Sequence, residues 1–205
     1  MNVVFIGTPE FAVPSLKCLI ESKHDVAAVL TQTDKPKGRK GKPEAPPVKN
    51  IALDAGLQVI QPENVNSEQV IEELEKLSPD VIVVVAFGQK ISDKILNLPK
   101  HKCVNIHASL LPKYRGAAPI NWAVVNGEKE TGITTIIMSN KMDAGDVIIR
   151  KSLTIGPEET AGELGNRLSR LGAETLLDSL TQIETGDAKY TQQDESLVSL
   201  APKIK

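Results

Sequence analysis

A run of β-branched residues places one buried strand near the middle of this chain and constrains the fold around it. Residues 80–87 contain Val-Ile-Val-Val-Val-Ala without polar alternation. A strand that is apolar on both faces is typical of a parallel sheet covered by helices on its two sides. The run therefore predicts a central strand of an α/β sheet.

Shorter apolar runs alternate with helical patterns on both sides of this strand. The other strand-like runs are residues 3–6, 26–30, 57–60, 103–107, 131–138 and 146–153. Helical spacing or capping signals mark residues 11–20, 49–55, 67–77, 92–98 and 117–125, and a capping box at Thr160 and Glu163 opens a long final helix. The alternation predicts a Rossmann-like α/β fold, an open and mostly parallel sheet with helices on both faces. The two late neighbouring strands predict an antiparallel or mixed portion at one side.

Length and composition restrict the class of protein. A chain of 205 residues suits one α/β domain with a short extension, and its net charge of −2 gives no general attraction to nucleic acid or membrane. Two cysteines without metal-ligand spacing argue against a zinc site and favour a reduced, cytoplasmic setting. We expect no signal peptide and no membrane span, because no apolar run approaches the roughly 20 residues that a span needs.

Several common catalytic and nucleotide-binding signatures do not occur in the sequence. The first strand is not followed by the glycine fingerprint of dinucleotide-binding proteins, which argues against an oxidoreductase. Walker spacing and the nucleophile elbow of serine hydrolases do not occur either. The chemistry of this chain must therefore depend on a different arrangement of residues.

Asn105 and His107 are the first candidates for that chemistry. They alternate along one strand, so their side chains project from the same face, and Ser109–Pro112 then turn the chain away. An amide donor beside an imidazole suits a reaction that passes through an oxyanion and moves a proton. The two residues alone also fit a buried polar pair at a sheet edge.

Asp143 is the second candidate, in a turn of small residues between the two late strands. Its carboxylate can reach over the sheet to His107, orient the imidazole and stabilise its protonated form. The same residue also fits a simple Asx turn.

A basic loop over residues 32–49 is the third candidate. It carries Lys37, Arg39, Lys40 and Lys42 among prolines and glycines, which predict a segment without regular structure. Such a loop can contact phosphates and give salt-dependent binding to nucleic acid. A solvated, flexible loop is the alternative.

Three stretches together resemble the methionyl-tRNA formyltransferases. They are Gly-Thr-Pro-Glu-Phe at residues 7–11, the basic loop, and the run from Asn105 to Ile120, which reads Asn-Ile-His-Ala-Ser-Leu-Leu-Pro-Lys-Tyr-Arg-Gly-Ala-Ala-Pro-Ile. Glu130–Thr134 and Met142–Asp146 extend the likeness over essentially the whole chain. Asn-x-His with a later Asp is shared by transferases that use 10-formyltetrahydrofolate, whereas the Arg-Gly-Ala-Ala-Pro-Ile run and the basic loop are more specific to the branch that acts on tRNA.

The resemblance implies a role for each matching residue. Asn105, His107 and Asp143 would be catalytic. The folate donor site would be lined by Ser109, Leu110, Leu111 and Pro112, and bordered by Phe87, Gly88 and Gln89. The acceptor stem of the tRNA would meet the basic residues Lys37, Arg39, Lys40 and Lys42.

The resemblance also implies partners and domain limits. The formyl donor would be 10-formyltetrahydrofolate without a metal, and the acceptor methionyl initiator tRNA, used by a cytoplasmic monomer. Residues 1–189 would form the catalytic domain, and residues 190–205 a tail or the start of a linker to a missing carboxyl-terminal β-rich domain.

Other functions stay open at this point. A formyltransferase acting on a small amine, such as glycinamide ribonucleotide or an amino sugar, shares the Asn-x-His pattern. A noncatalytic module that binds folate or tRNA is a candidate of another class.

Overall fold

Parallel strands build the first of two units into which the chain divides, Met1–Cys103 and Val104–Lys205. The structure is a computed structural model and describes residues 1–37 and 41–204. The elements of the first unit are β1 (Asn2–Gly7), α1 (Val13–Glu21), β2 (Asp25–Leu30), β3 (Lys35–Lys37), β4 (Lys42–Glu44), α2 (Pro47–Asp54), β5 (Val59–Ile60), α3 (Glu68–Leu77), β6 (Val81–Val85) and α4 (Asp93–Leu96).

The strands of the first unit lie in the order β5-β2-β1-β6, and each neighbouring pair is parallel. Strand β6 is the predicted central run, and all of its residues are buried. β1 is buried almost as fully from Val3 to Gly7. Continuous apolar sequence in both strands therefore reflects burial on both faces, as predicted.

Antiparallel strands build the second unit. Its elements are β7 (Cys103–His107), α5 (Pro119–Val125), β8 (Glu130–Ile137), β9 (Val147–Thr154) and α6 (Ala161–Thr185). The strand order is β7-β8-β9, and His107 lies opposite Thr134 in the β7–β8 register. The predicted antiparallel portion at the late strands is thus confirmed.

Helix α6 begins at the predicted capping box and packs against the strands of its unit. The Thr160 hydroxyl accepts a hydrogen bond from the Glu163 amide at 3.3 Å, and the Glu163 carboxylate accepts one from the Thr160 amide at 2.9 Å. Further along the helix, the hydroxyl oxygens of Ser179 and Thr135 on β8 lie 2.7 Å apart. The cap fixes where the helix starts, and this buried contact fixes the face that it turns to the sheet.

The basic loop contains more regular structure than its sequence predicts, which corrects that expectation. β3 and β4 pair as a short antiparallel ribbon in which Pro36 lies opposite Pro43, and α2 begins at Pro47. Proline lacks the amide donor of a ladder, but it is tolerated at the free edges of a ribbon and in the first turn of a helix. The prolines therefore exclude a central strand or a helix interior here. They do not exclude the pairing of two short strands.

The polar segment after Gly186 hydrogen-bonds to the rest of the second unit. Thr191 exchanges backbone hydrogen bonds of 2.8 and 2.9 Å with Val147, and Leu200 forms a parallel bridge with Arg115. Residues 190–205 as a tail or linker stay a prediction, but the described part of this segment lies against the candidate site.

Candidate active site

His107 is the last residue of β7 and is buried. Its Nε2 lies 2.8 Å from the carbonyl oxygen of Tyr114. Since a carbonyl oxygen can only accept, this contact places a proton on Nε2. The other ring nitrogen, Nδ1, is then the one that faces the remaining groups of the site.

Asp143 lies in the turn between β8 and β9, with its Oδ2 at 3.6 Å from Nδ1 of His107. The same oxygen accepts a hydrogen bond of 2.8 Å from the Gly116 amide. A separation of 3.6 Å is longer than a direct hydrogen bond, so the carboxylate acts on the imidazole through its charge. The 16% exposure of the Asp143 side chain leaves this interaction less screened than one at the surface.

Asn105 lies two residues before His107 on β7 and is half-buried. The period-2 alternation of the strand directs the two side chains to the same face. Among the residues that the structure describes, none forms a hydrogen bond with the side-chain amide of Asn105. Its N–H donors are therefore available to a ligand.

These groups have complementary chemistry. An amide N–H stabilises negative charge that develops on an oxygen, and an imidazole carries a proton near neutral pH. The Asp143 carboxylate places a negative charge beside the imidazole. The arrangement suits attack on a carbonyl carbon, in which an oxyanion forms and a proton moves.

The segment Ser109–Pro112 follows β7 and is held by hydrogen bonds to β8 and to the residue that comes directly after it. The Ser109 hydroxyl donates to the Lys113 carbonyl at 2.6 Å, and the Thr134 hydroxyl donates to the Ser109 carbonyl at the same distance. The Leu111 amide donates to the Thr134 hydroxyl at 3.0 Å, and the Leu111–Pro112 peptide is cis. Ser109, Leu111 and Pro112 are buried and Leu110 is half-buried, so Leu110 is the residue of this segment most open to a ligand.

A cavity of about 520 Å³ lies on the same segment and is lined in part by Leu110, Leu111 and Pro112. Its volume is in the range of ligand sites. Asn105, His107 and Asp143 do not line it. We therefore do not assign it to the reacting groups.

Phe87, Gly88 and Gln89 follow β6 in the first unit, at the carboxyl ends of its parallel strands. The Phe87 carbonyl accepts a hydrogen bond of 2.6 Å from the side-chain amide of Gln32. Gly88 has φ +87°, and a Cβ there would lie 2.7 Å from the same Gln32 amide. Gln89 is anchored by the Val65 amide, which donates to its side-chain oxygen at 3.0 Å. Ligands of open α/β sheets bind at such carboxyl ends.

The basic loop is described only in part. Arg39 and Lys40 lie outside the described residues, and Lys37 and Lys42 are described as members of the ribbon, without their side chains. At the base of the loop, Lys49 forms an ion pair of 2.8 Å with Asp34, and Gln61 donates to the same carboxylate at 2.7 Å. These contacts, led by the Gln61 hydrogen bond, hold the pKa of Asp34 below its usual value.

One residue of the site had no signal in the sequence. Gln193 lies in the polar segment after α6, yet it is buried and donates hydrogen bonds to the carbonyl oxygens of Asp143 and Gly145. A glutamine among polar residues shows no periodicity that would mark it as buried. Only the folded contacts connect it with the Asp143 turn.

Residues 1–37 and 41–204 contain neither a metal-binding cluster nor a membrane-spanning helix. Within those ranges, no group of three or more His, Cys, Asp or Glu side chains is arranged to hold a metal ion. Among the helices of the same ranges, none is long and apolar enough to cross a membrane.

Comparisons with known proteins point to one family. The model of the family described as formyl transferase matches residues 1–180. A methionyl-tRNA formyltransferase of Geobacter metallireducens is 50% identical over 205 residues, which cover 100% of this chain and 66% of that protein. The chain thus spans slightly less than two thirds of the length of this relative.

Solved structures share the fold at low sequence identity. A phosphoribosylglycinamide formyltransferase from Anaplasma phagocytophilum matches with a TM-score of 0.76 and 19% identity, over 100% of this chain and 99% of the other. A sugar 3N-formyl transferase was crystallised in the presence of dTDP and 5-N-formyl-THF. It matches with a TM-score of 0.75 and 21% identity, over 99% of this chain and 70% of the other. These likenesses confirm the predicted α/β Rossmann-like fold with a mostly parallel sheet.

Proposed function

This chain belongs to the formyl transferase family, and from that premise we propose that it transfers a formyl group from 10-formyltetrahydrofolate to the α-amine of methionyl initiator tRNA. The identity of 50% with a methionyl-tRNA formyltransferase along the entire chain supports this acceptor. The observation that carries the chemistry is the 3.6 Å distance between Nδ1 of His107 and Oδ2 of Asp143.

In the proposed reaction, the neutral α-amine attacks the formyl carbon and a new C–N bond forms. The formyl oxygen becomes an oxyanion, which receives a hydrogen bond from the Asn105 amide. The bond from the formyl carbon to N10 then breaks, and the proton lost by the amine ends on N10. No bond to an enzyme side chain forms at any stage.

His107 serves this reaction through Nδ1, because Nε2 is occupied by the Tyr114 carbonyl. A protonated Nδ1 stabilises the oxyanion, and a neutral Nδ1 carries the proton from the amine toward N10. Asp143 places its carboxylate 3.6 Å from Nδ1 in either case. Asn105, His107 and Asp143 are therefore the proposed catalytic residues.

The resemblance marks two stretches for the folate donor, one in each unit, and we propose a role for each. In the segment that follows β7, Leu110 offers apolar surface to a flat heterocycle, and the hydrogen bonds of Ser109 and Leu111 with Thr134 hold the backbone beside it. Phe87, Gly88 and Gln89 offer backbone at the carboxyl end of β6. The formyl-THF in the crystals of the sugar 3N-formyl transferase supports a folate donor.

We propose that the protein works as a cytoplasmic monomer. Burial raises the pKa of Cys103 to about 12, so its thiol stays protonated and chemically inert at neutral pH. A structural role for this thiol suits a reducing compartment.

The acceptor is tested by offering each candidate amine with a labelled formyl donor. The 205-residue chain is incubated with labelled 10-formyltetrahydrofolate and methionyl initiator tRNA, glycinamide ribonucleotide or a dTDP-linked amino sugar. We expect label in formyl-methionyl ester above that in the other two products. Faster labelling of a small amine, or label in none of the three, would contradict the proposal.

Replacing Lys37, Arg39, Lys40 and Lys42 together by alanine is expected to weaken the use of tRNA. Each lost phosphate contact removes about one counterion from the binding equilibrium, so the salt dependence of tRNA binding becomes shallower. Folate affinity persists, because we assign the loop to the tRNA. Filter binding at several salt concentrations and a folate titration measure the two effects.

The matched control removes four positive charges elsewhere. Lys94, Lys100, Lys129 and Lys189 are exposed and lie outside the basic loop. Their joint replacement by alanine is expected to leave most of the salt dependence of tRNA binding unchanged. An equal loss in both variants, or an equal loss of folate affinity in the loop variant, would assign the loop no specific role.

A further inference from the structure

Gln193 connects the Asp143 turn with a buried arginine. Its side-chain nitrogen donates to the Asp143 carbonyl at 2.7 Å and to the Gly145 carbonyl at 2.8 Å. Its side-chain oxygen accepts from Nε and Nη2 of Arg115 at 3.1 and 2.8 Å. Both protons and the acceptor oxygen of the Gln193 amide are therefore used.

Arg115 gives this connection a fixed base. It is 7% exposed, and its guanidinium also pairs with Glu195 at 2.8 Å. Its backbone amide donates to the Ser199 carbonyl at 2.9 Å, and its carbonyl accepts from the Ala201 amide at 2.7 Å. The segment after α6, to which Gln193 belongs, thus also holds the backbone of Arg115.

The turn that Gln193 grips needs such support. Asp143 has φ +49°, a conformation in which most residues with a Cβ are strained. Gln193 donates to the Asp143 carbonyl and to the Gly145 carbonyl two residues later, so it restrains the backbone that follows the Asp143 Cα. The Gly116 amide, next to Arg115 in the chain, donates to the Asp143 carboxylate at 2.8 Å. Backbone and carboxylate of Asp143 are therefore fixed by neighbouring parts of one frame.

We infer that Gln193 is a positioning residue, which sets the distance between the Asp143 carboxylate and His107 and thereby the rate of the chemical step. The inference rests on the proposed function for its kinetic part. Gln193 touches neither reactant in this account. It acts only through Asp143.

The sharpest variant is Gln193→Glu. It keeps the size of the side chain and an acceptor for Arg115, but replaces the two donations by contacts between oxygens. We expect kcat for formyl transfer to fall at least about 10-fold, as for other residues that orient a catalytic group, with little change in KM. Gln193→Met, which is neutral and of similar length, should lower kcat by as much. It replaces the glutamate variant in the test if that variant does not fold. Gln69→Glu, on an exposed residue of α3, controls for the added charge.

A double-mutant cycle separates positioning from general destabilisation. In an Asp143→Asn background, the Gln193 variants are expected to lower kcat little further, because their effect passes through the missing carboxylate. Equal fold-losses of kcat in both backgrounds would overturn the inference.

A spectroscopic comparison needs no turnover. The ¹⁵N resonances of the His107 ring are expected to move in Gln193→Glu in the same direction as in Asp143→Asn, and to stay in place in Gln69→Glu. Unmoved His107 resonances would overturn the inference. A parent chain that transfers no formyl group would instead refute the proposed function, while this comparison would still test Gln193.

Discussion

His107→Ala and Asn105→Ala are each expected to slow formyl transfer at least about 100-fold while the fold persists. The Asn105 side-chain amide is the proposed donor to the oxyanion. Loss of one such donor typically raises the barrier by about 3–4 kcal/mol. Loss of the imidazole removes both the group that faces Asp143 and the partner of the Tyr114 carbonyl. Single-turnover transfer from labelled 10-formyltetrahydrofolate to methionyl initiator tRNA measures the effect on the chemical step.

The controls change the same residue types outside the site. His101→Ala and Asn97→Ala lie in the first unit, and neither residue belongs to the proposed machinery. Both are expected to transfer at the parent rate. A transfer rate near the parent value in either site variant would remove that residue from the mechanism.

Gly145→Ala is expected to reduce both stability and transfer. A Cβ on Gly145 would lie 1.7 Å from the Ile137 carbonyl oxygen, which belongs to the backbone of β8 and has no flexible end to move away. Forcing atoms into a packed site costs roughly 1–3 kcal/mol, and the shift must pass to Asp143 two residues earlier. Displacement of a catalytic group by about 1 Å can lower a rate on the order of 100-fold.

Urea unfolding and single-turnover transfer test this variant beside Gly162→Ala. Gly162 lies in the first turn of α6, and a Cβ there would meet nothing closer than 3.9 Å. Alanine favours a helix over glycine, so this control should keep or raise the free energy of unfolding. Equal free energies of unfolding of the two variants would show that the β8–β9 turn accommodates a Cβ at residue 145, contrary to the contact expected from the structure.

Regular elements could be predicted where one physical pattern determined them. The continuous apolar run predicts strand β6, and the capping box predicts the start of α6. Burial on both faces and a reciprocal cap each leave a local pattern in the sequence. The ribbon of β3 and β4 was missed, since prolines and lysines carry no strand pattern and pair there only at free edges.

The candidate site could be predicted only to the level of its parts. Strand alternation indicated that Asn105 and His107 share a face, and small residues marked the turn at Asp143. The contact of His107 with the Tyr114 carbonyl and the frame of Gln193 and Arg115 depend on distant segments of the chain. No local pattern encodes such contacts, because each polar partner looks like surface until its counterpart is folded beside it.

A crystal structure with a stable, non-transferable analogue of 10-formyltetrahydrofolate tests the central claim most directly. We expect the formyl oxygen at hydrogen-bond distance, about 3 Å, from the Asn105 side-chain nitrogen, with the formyl carbon facing Nδ1 of His107. A formyl group bound out of reach of both residues, in a protein that still transfers it to methionyl initiator tRNA, would contradict the account.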